Sequence, residues 1–123
     1  ALAARQAKGP AWFSLGQISL SKGKDKEALK LLERALEANP GLYDARFTLA
    51  TLLEGTARDE EALAHLEAVV ADNWSHAEAH FQLGDRALKD KDMQKAEMHF
   101  LIVTDIEPDH KEAKKQLKKL TQK

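Results

Sequence analysis

The stretch WFSLGQISLSKGKDKEALKLLERALEANP, residues 12–40, decides the fold, because its spacing of small and large apolar residues returns twice at an offset of 34 residues. A fixed period of this length is typical of a repeat array, in which each unit buries its apolar face only by stacking on its neighbours. The repeat is therefore the folding unit. The recurring sets are Leu15, Leu49 and Leu83; Gly16, Ala50 and Gly84; Ala28, Ala62 and Ala96; and Leu32, Leu66 and Phe100.

Each period contains two predicted helices, and strand signals are absent. In the first copy we expect Pro10 in the opening turn of a helix over residues 11–19, which Gly23 breaks. Asp25 is expected to cap the second helix, which ends at Asn39 and Pro40. The later predicted helices are Tyr43–Glu54, Glu60–Ala71, Ala77–Lys89 and Met93–Ile106, and a final helix begins at Lys111.

These helices predict the domain organisation. Residues 1–8 are expected to be the end of a preceding repeat or a leader, because Ala1-Leu2-Ala3-Ala4 lies one period before Ala35-Leu36-Glu37-Ala38. The predicted repeats are 9–42, 43–76 and 77–110, followed by a capping helix at 111–123 with Ala113, Leu117 and Leu120 on its apolar face.

Small residues mark where helix axes cross most closely, and large ones fill the space between crossings. Gly16 and Gly84 on first helices, and Ala28 on a second helix, are predicted crossing points. A larger side chain there would overpack the pair at a cost of roughly 1–3 kcal/mol. Leu15 and Leu32 are among the residues expected to fill the core.

Composition limits the class of protein. With 43% hydrophobic residues, the 123-residue chain suits one domain or short array. Charge is uneven: residues 1–58 hold nine Lys and Arg against six acids, 59–110 hold four against thirteen, and 111–123 hold six against one.

No apolar run is long enough to predict a membrane span, and the absence of cysteine excludes disulfides. We take the cytoplasm as the default location.

The motif Trp12-x2-Leu15-Gly16-x2-Ser19, followed by Ala28-x3-Leu32, resembles the tetratricopeptide repeat (TPR). The third copy matches this pattern similarly closely. The second copy has Arg46 at the position equivalent to Trp12, which we call the Trp place. The resemblance implies an all-α fold, a right-handed superhelix or solenoid of about seven helices in antiparallel pairs. It further implies a concave groove lined mainly by first helices, and service as a docking scaffold for proteins or peptides.

Chemical motifs are weak, and we predict neither an enzyme nor a metal or cofactor site. His76-x-Glu78-x-His80 has the one-turn spacing of two metal ligands, but His80 occupies the Trp place, where a ring packs between helices, and His76 falls in a turn. His65 and His99, which are repeat equivalents, are predicted on the outer, solvated face. The lysine-rich tail is expected to be a solvated capping helix rather than a nucleic-acid site.

The resemblance assigns a partner-binding groove to one face of the first helices. An aromatic residue directly follows each Trp place, so the three rings recur at a spacing of one period and would form a row along the groove. The competing interpretation is that these rings serve packing alone. The predicted groove residues are Phe13, Gln17, Leu20, Asp44, Phe47, Thr48, Thr51, Glu78, Phe81, Gln82, Asp85 and Leu88.

TPR domains of chaperone adaptors hold a terminal carboxylate with Lys, Asn and Arg side chains. The matching positions carry no cation, so chaperone tails are not expected as ligands, and the groove favours an apolar or basic segment. Two alternatives to a docking module stay open: a spacer that self-associates through the array ends, and an accessory domain of an enzyme. The positions matched to the carboxylate-holding residues are Phe13, Gln17, Thr48, Glu78 and Gln82, or one repeat later Phe47, Thr51, Gln82, Glu112 and Gln116.

Overall fold

A computed structural model describes residues 2–122, which form seven α-helices and no strand. This confirms the all-α prediction, and the third-repeat helices begin and end where the sequence predicted. Among the described residues, no helix is long and apolar enough to cross a membrane. The helices are α1 (Leu2–Ser21), α2 (Asp25–Ala38), α3 (Tyr43–Leu53), α4 (Asp59–Asp72), α5 (Ala77–Lys89), α6 (Met93–Ile106) and α7 (Lys111–Thr121).

The chain divides into two compact units, Ala1–His65 and Leu66–Lys123, with the division inside α4. In unit 1, α2 packs on both α1 and α3. The α1–α2 crossing is close, because a Cβ added to Gly16 would lie 3.3 Å from the Leu32 side chain. Leu32 is fully buried, as the repeat pattern predicted.

Unit 1 corrects three expectations. Pro10 lies inside α1, which begins at Leu2, rather than in an opening turn. The residue before Pro10 is closely packed, because a Cβ added to Gly9 would lie 2.8 Å from Leu42 Cδ1. The cap position of α2 is Lys24, without a side-chain hydrogen bond, and Asp25 is already helical.

Leu15 is the third correction, since its side chain is 47% exposed instead of filling the core. Its repeat equivalent Leu49, on α3, is only 2% exposed. The difference has a physical cause within unit 1: α2 packs on α3, whereas no described helix of this unit covers the corresponding face of α1.

Unit 2 is built around Phe100 on α6, which is fully buried. A Cβ on Gly84 of α5 would lie only 2.6 Å from Phe100 Cε1, so this crossing tolerates no side chain without movement. Ala113 of α7 is buried in the same cluster, with Leu117 and Leu120 packed at its edge. The predicted apolar face of the last helix is confirmed.

The helix starts of unit 2 are capped by side chains. His76 Nδ1 accepts a hydrogen bond from the Ala79 amide at 3.1 Å, and His110 Nδ1 accepts one from the Ala113 amide at 3.1 Å. Asp92 Oδ1 accepts from the Lys95 amide at 3.2 Å. Each bond satisfies a backbone donor that the first helical turn cannot pair.

Candidate partner-binding surface

The predicted binding residues of unit 1 lie on α1 and α3. Phe13, Leu20, Phe47 and Thr48 are half-buried, and the other members of the set on these helices are exposed. The two threonine hydroxyls bond to their own helix: Thr48 Oγ1 donates to the Asp44 carbonyl at 2.9 Å and Thr51 Oγ1 donates to the Phe47 carbonyl at 3.1 Å. The exposed members are Gln17, Asp44 and Thr51.

In unit 2 the predicted binding residues on α5 lie beside the start of α7. The Phe81 ring centroid is 5.5 Å from that of Phe100 and 5.0 Å from that of His110. Glu78 Oε1 lies 3.4 Å from His110 Nε2, and Leu88 packs against the unit 2 core. Phe81 therefore has a packing role in this unit, as the competing interpretation held for the aromatic position.

Asp85 and Gln82 are half-buried on the same helix. Burial raises the pKa of the Asp85 carboxyl, and the like charge of Glu112 raises it further, while Lys89 acts in the opposite direction. The unit 2 part of the predicted set thus carries two acids, Glu78 and Asp85, and no cation.

The Trp place of the repeat holds a different chemistry in each copy. In the first, the Arg34 guanidinium lies 5.1 Å from the centroid of the Trp12 ring, within cation–π range. In the second, Arg46 Nη1 lies 3.1 Å from His65 Nδ1 and Nη2 donates to the Pro40 carbonyl at 2.9 Å. In the second copy a pair of polar side chains thus takes the place of the aromatic ring.

In the third copy, His80 is fully buried and His99 is 5% exposed, with their Nδ1 atoms 3.1 Å apart. His80 was predicted to pack between helices, and this is confirmed. The prediction of a solvated outer face for His65 and His99 is wrong, because both imidazoles turn inward to a partner on the first helix of their repeat. In each pair the two residues are 19 positions apart.

A signal for these pairs was present in the sequence. The second and third copies carry a polar residue at both members of the pair, where the first copy has Trp12 and Leu31. A joint change at two positions of a repeat indicates that the two residues are in contact. This signal is visible only when both positions are compared between copies at the same time.

The hydrogen bonds of His80 fix its tautomer and that of His99. His80 Nε2 lies 2.9 Å from the Trp74 carbonyl oxygen, which can only accept, so Nε2 carries the proton. His80 Nδ1 then accepts from the Nδ1–H of His99. The Trp74 indole, 60% exposed, packs edge-on against His80 with 4.7 Å between centroids.

Burial disfavours the charged form of both imidazoles. It lowers the pKa of His80, and it lowers the pKa of His99 to about 4, with His80 and Lys95 adding to the effect on His99. Both rings are therefore neutral at pH 7. No group of three or more His, Cys, Asp or Glu side chains that could hold a metal ion occurs among residues 2–122.

The sequence model of the tetratricopeptide repeat family matches residues 19–83. No curated protein sequence matches the chain. Of the solved structures that match, the TPR domain of P58(IPK) is 28% identical, with a TM-score of 0.84 over 92% of this chain and 32% of that chain. YrrB, a TPR protein with an unusual peptide-binding site, is 30% identical, with a TM-score of 0.77 over 89% of this chain and 57% of that chain.

The first TPR domain of Spaghetti (RPAP3), in complex with an HSP90 peptide, is 21% identical, with a TM-score of 0.82 over 94% of this chain and 92% of that chain. This likeness concerns the fold alone. The chain spans less than two-thirds of the P58(IPK) and YrrB chains. Because the family match covers more than half of its 123 residues, the chain belongs to the tetratricopeptide repeat family of protein-interaction scaffolds.

Proposed function

We propose that this TPR domain binds a peptide or helical segment of a partner protein through the first-helix face of unit 1, centred on Phe47. The observation that carries the proposal is the half-buried aromatic ring on α3, beside the exposed side chains of Asp44 and Thr51. An anchored ring with a polar surround is the usual composition of an interface hot spot.

The charge of this face selects the partner. Asp44 is the only ionisable member of the unit 1 set, so this face carries one acid and no cation. A positively charged or apolar segment meets no repulsion there, whereas an acidic tail does. YrrB, which is 30% identical, supports a peptide as the class of ligand.

The proposed activity is binding without catalysis. The two buried imidazoles of unit 2 hydrogen-bond to each other and to a backbone carbonyl, which gives them a role in packing. The cytoplasmic location and the self-associating spacer stay predictions.

The test combines recovery of a partner with a titration. A partner recovered with the parent domain is identified, and its affinity is measured for the parent and for Phe47→Ala. We expect the substitution to weaken binding by roughly 2 kcal/mol or more, with a small change in melting temperature. Lys118→Ala, on the exposed side of α7, is the control and should bind as the parent does.

Two results would contradict the proposal. Undiminished affinity of a folded Phe47→Ala variant would remove this face as the site. A loss of roughly 3–5 kcal/mol in unfolding free energy would instead assign the ring to the core, since that is the usual effect of truncating a buried Phe.

A further inference from the structure

Arg46 and His65 form a polar pair between α3 and α4 in unit 1, and the His65 side chain is only 15% exposed. Arg46 Nη1 lies 3.1 Å from His65 Nδ1. Because a guanidinium can only donate, His65 Nδ1 is the acceptor and Nε2 carries the proton. Arg46 Nη2 donates to the Pro40 carbonyl at 2.9 Å. Arg46 therefore ties the start of α3 to α4 and to the turn before α3, one residue from Phe47.

The pair lines a cavity of about 270 Å³ that also holds a second partner for each side chain. Glu61 Oε1 lies 3.7 Å from His65 Nε2, which is within ion-pair range but too far for a hydrogen bond. Glu37 of α2 lines the same cavity and makes no ion pair within residues 2–122. In the part of the chain that the structure describes, Arg46 Nε and His65 Nε2 are buried donors without a hydrogen-bond partner.

Protonation of His65 reverses the preference for Arg46. The neutral ring accepts from the guanidinium, whereas an imidazolium has a proton on both nitrogens and repels it. Burial lowers the pKa of His65 and the charge of Arg46 lowers it further. Arg58 acts in the same direction and Glu61 in the opposite one. The charged groups around His65 are Arg46 of α3, Glu61 of α4, Arg58 before α4, and Glu33 and Glu37 of α2.

The carboxylate nearest to His65 is ready to receive the imidazolium. Hydrogen bonds from Arg58 lower the pKa of the Glu61 carboxyl. Glu61 therefore stays ionised in the pH range where an imidazole titrates. An imidazolium at His65 would close the present 3.7 Å separation and give its unused Nε2–H an acceptor.

We propose that His65 is a pH-sensitive switch that exchanges partners within this cavity. At neutral pH His65 holds Arg46. In acid the imidazolium pairs with Glu61, and the released Arg46 guanidinium pairs with Glu37, so that the anchor of α3 moves from α4 to α2. The surroundings of Phe47 change in the same step. The exchange itself needs no partner protein, and its effect on binding rests on the proposed function of the Phe47 face.

The third repeat lacks these second partners, although it has the same kind of pair. One period after Glu61 and Glu37 the chain has Lys95 and Ala71. Protonation of His99 therefore only costs stability, because a lysine stands where His65 finds a carboxylate. The Arg46–His65 pair differs in having a second folded arrangement, which is what a switch requires.

The test is an NMR titration of the full chain from pH 7.5 to pH 5.0. It follows the ring nitrogens of His65, the Arg46 guanidinium and the Phe47 ring, each by residue-specific assignment. We expect His65 to carry its proton on Nε2 at the start. The Arg46 and Phe47 signals should then shift with the same midpoint as the His65 nitrogens.

Two variants isolate the parts of the switch. His65→Asn places an amide oxygen near the position of Nδ1, which accepts from Arg46 and does not titrate, so the Arg46 and Phe47 signals should stay constant. Glu37→Gln removes the second partner of Arg46. It should lower the midpoint by about half a pH unit and reduce the shift of the Arg46 signals. Glu67→Gln, an exposed acid outside this cavity, is the matched control and should titrate as the parent does.

Three results would overturn the proposal. The first is an Arg46 guanidinium whose signals stay constant while His65 titrates. The second is a Phe47 response that persists in His65→Asn. The third is Glu37→Gln with the parent midpoint and the parent Arg46 shift; since Glu37 is exposed, this variant should fold even if His65→Asn does not. Undiminished partner binding by Phe47→Ala would reject the binding face alone, because the titration contains no partner.

Discussion

The buried imidazole pair makes the stability of the chain depend on pH. We consider His99→Asn, in which the amide nitrogen of Asn takes the position of Nδ1 and keeps a donor toward His80 Nδ1. The substitution removes a titrating group and retains the hydrogen bond. The difference between variant and parent therefore isolates the contribution of His99 to the pH dependence.

The sign follows from the direction of the shift. The pKa of His99 falls to about 4 in the folded chain, from 6.5 in the unfolded one. Between these values the unfolded state binds a proton that the folded state does not, so the free energy of unfolding decreases as pH falls. The full shift in the pKa of His99 corresponds to about 3 kcal/mol of unfolding free energy. The pKa of His80 is lowered as well and acts in the same direction.

The assay is urea unfolding followed by circular dichroism between pH 7.5 and pH 4.5. Over this pH interval the unfolding free energy of the parent should fall by about 2 kcal/mol more than that of His99→Asn, because the variant lacks the titrating imidazole. A pH dependence that is parallel in the two proteins would refute the argument. Nitrogen-15 NMR at pH 7 gives an independent check: the proton should lie on Nε2 of His80 and on Nδ1 of His99.

Two further predictions concern the helix crossing and the ligand class. Gly84→Leu should lower the unfolding free energy by at least about 1–3 kcal/mol, because even a Cβ there would lie 2.6 Å from Phe100 Cε1; chemical denaturation with parent-like stability would contradict this. An acidic peptide with a free C-terminal carboxylate should bind no better than its amidated form, since Phe13, Gln17 and Thr48 are among the uncharged residues at the carboxylate-binding positions. A calorimetric preference for the free acid would show that the assigned register is wrong.

Periodicity and turn residues were sufficient to predict most of the helices. The helices Ala77–Lys89 and Met93–Ile106 were predicted to the residue, because a charged turn separates them and Pro108 follows the second. The small residues at the helix crossings were predictable for a similar reason. Gly84 recurs in register with Gly16, and only a residue without a side chain fits against Phe100.

The exposure of Leu15 could not be predicted, because a repeat pattern shows which face of a helix is apolar but not whether a neighbour covers it. Leu15 and Leu49 are equivalent in sequence and differ from 47% to 2% in exposure. The inward orientation of His65 and His99 was missed for a different reason. A polar residue on a helix is assigned to solvent unless its partner on another helix is considered at the same time.

The buried pairs show how one repeat geometry accommodates different chemistries at the Trp place. A ring at this position packs by shape and tolerates small shifts, whereas a buried hydrogen bond needs its partner at a set distance and orientation. His80 meets this requirement twice, at 3.1 Å to His99 and at 2.9 Å to the Trp74 carbonyl. Displacing α5 against α6 would leave buried polar atoms unpaired, at about 1–3 kcal/mol each. Directional bonds therefore hold the third repeat in register, and because the same two imidazoles must stay neutral, protonation at low pH should destabilise this repeat.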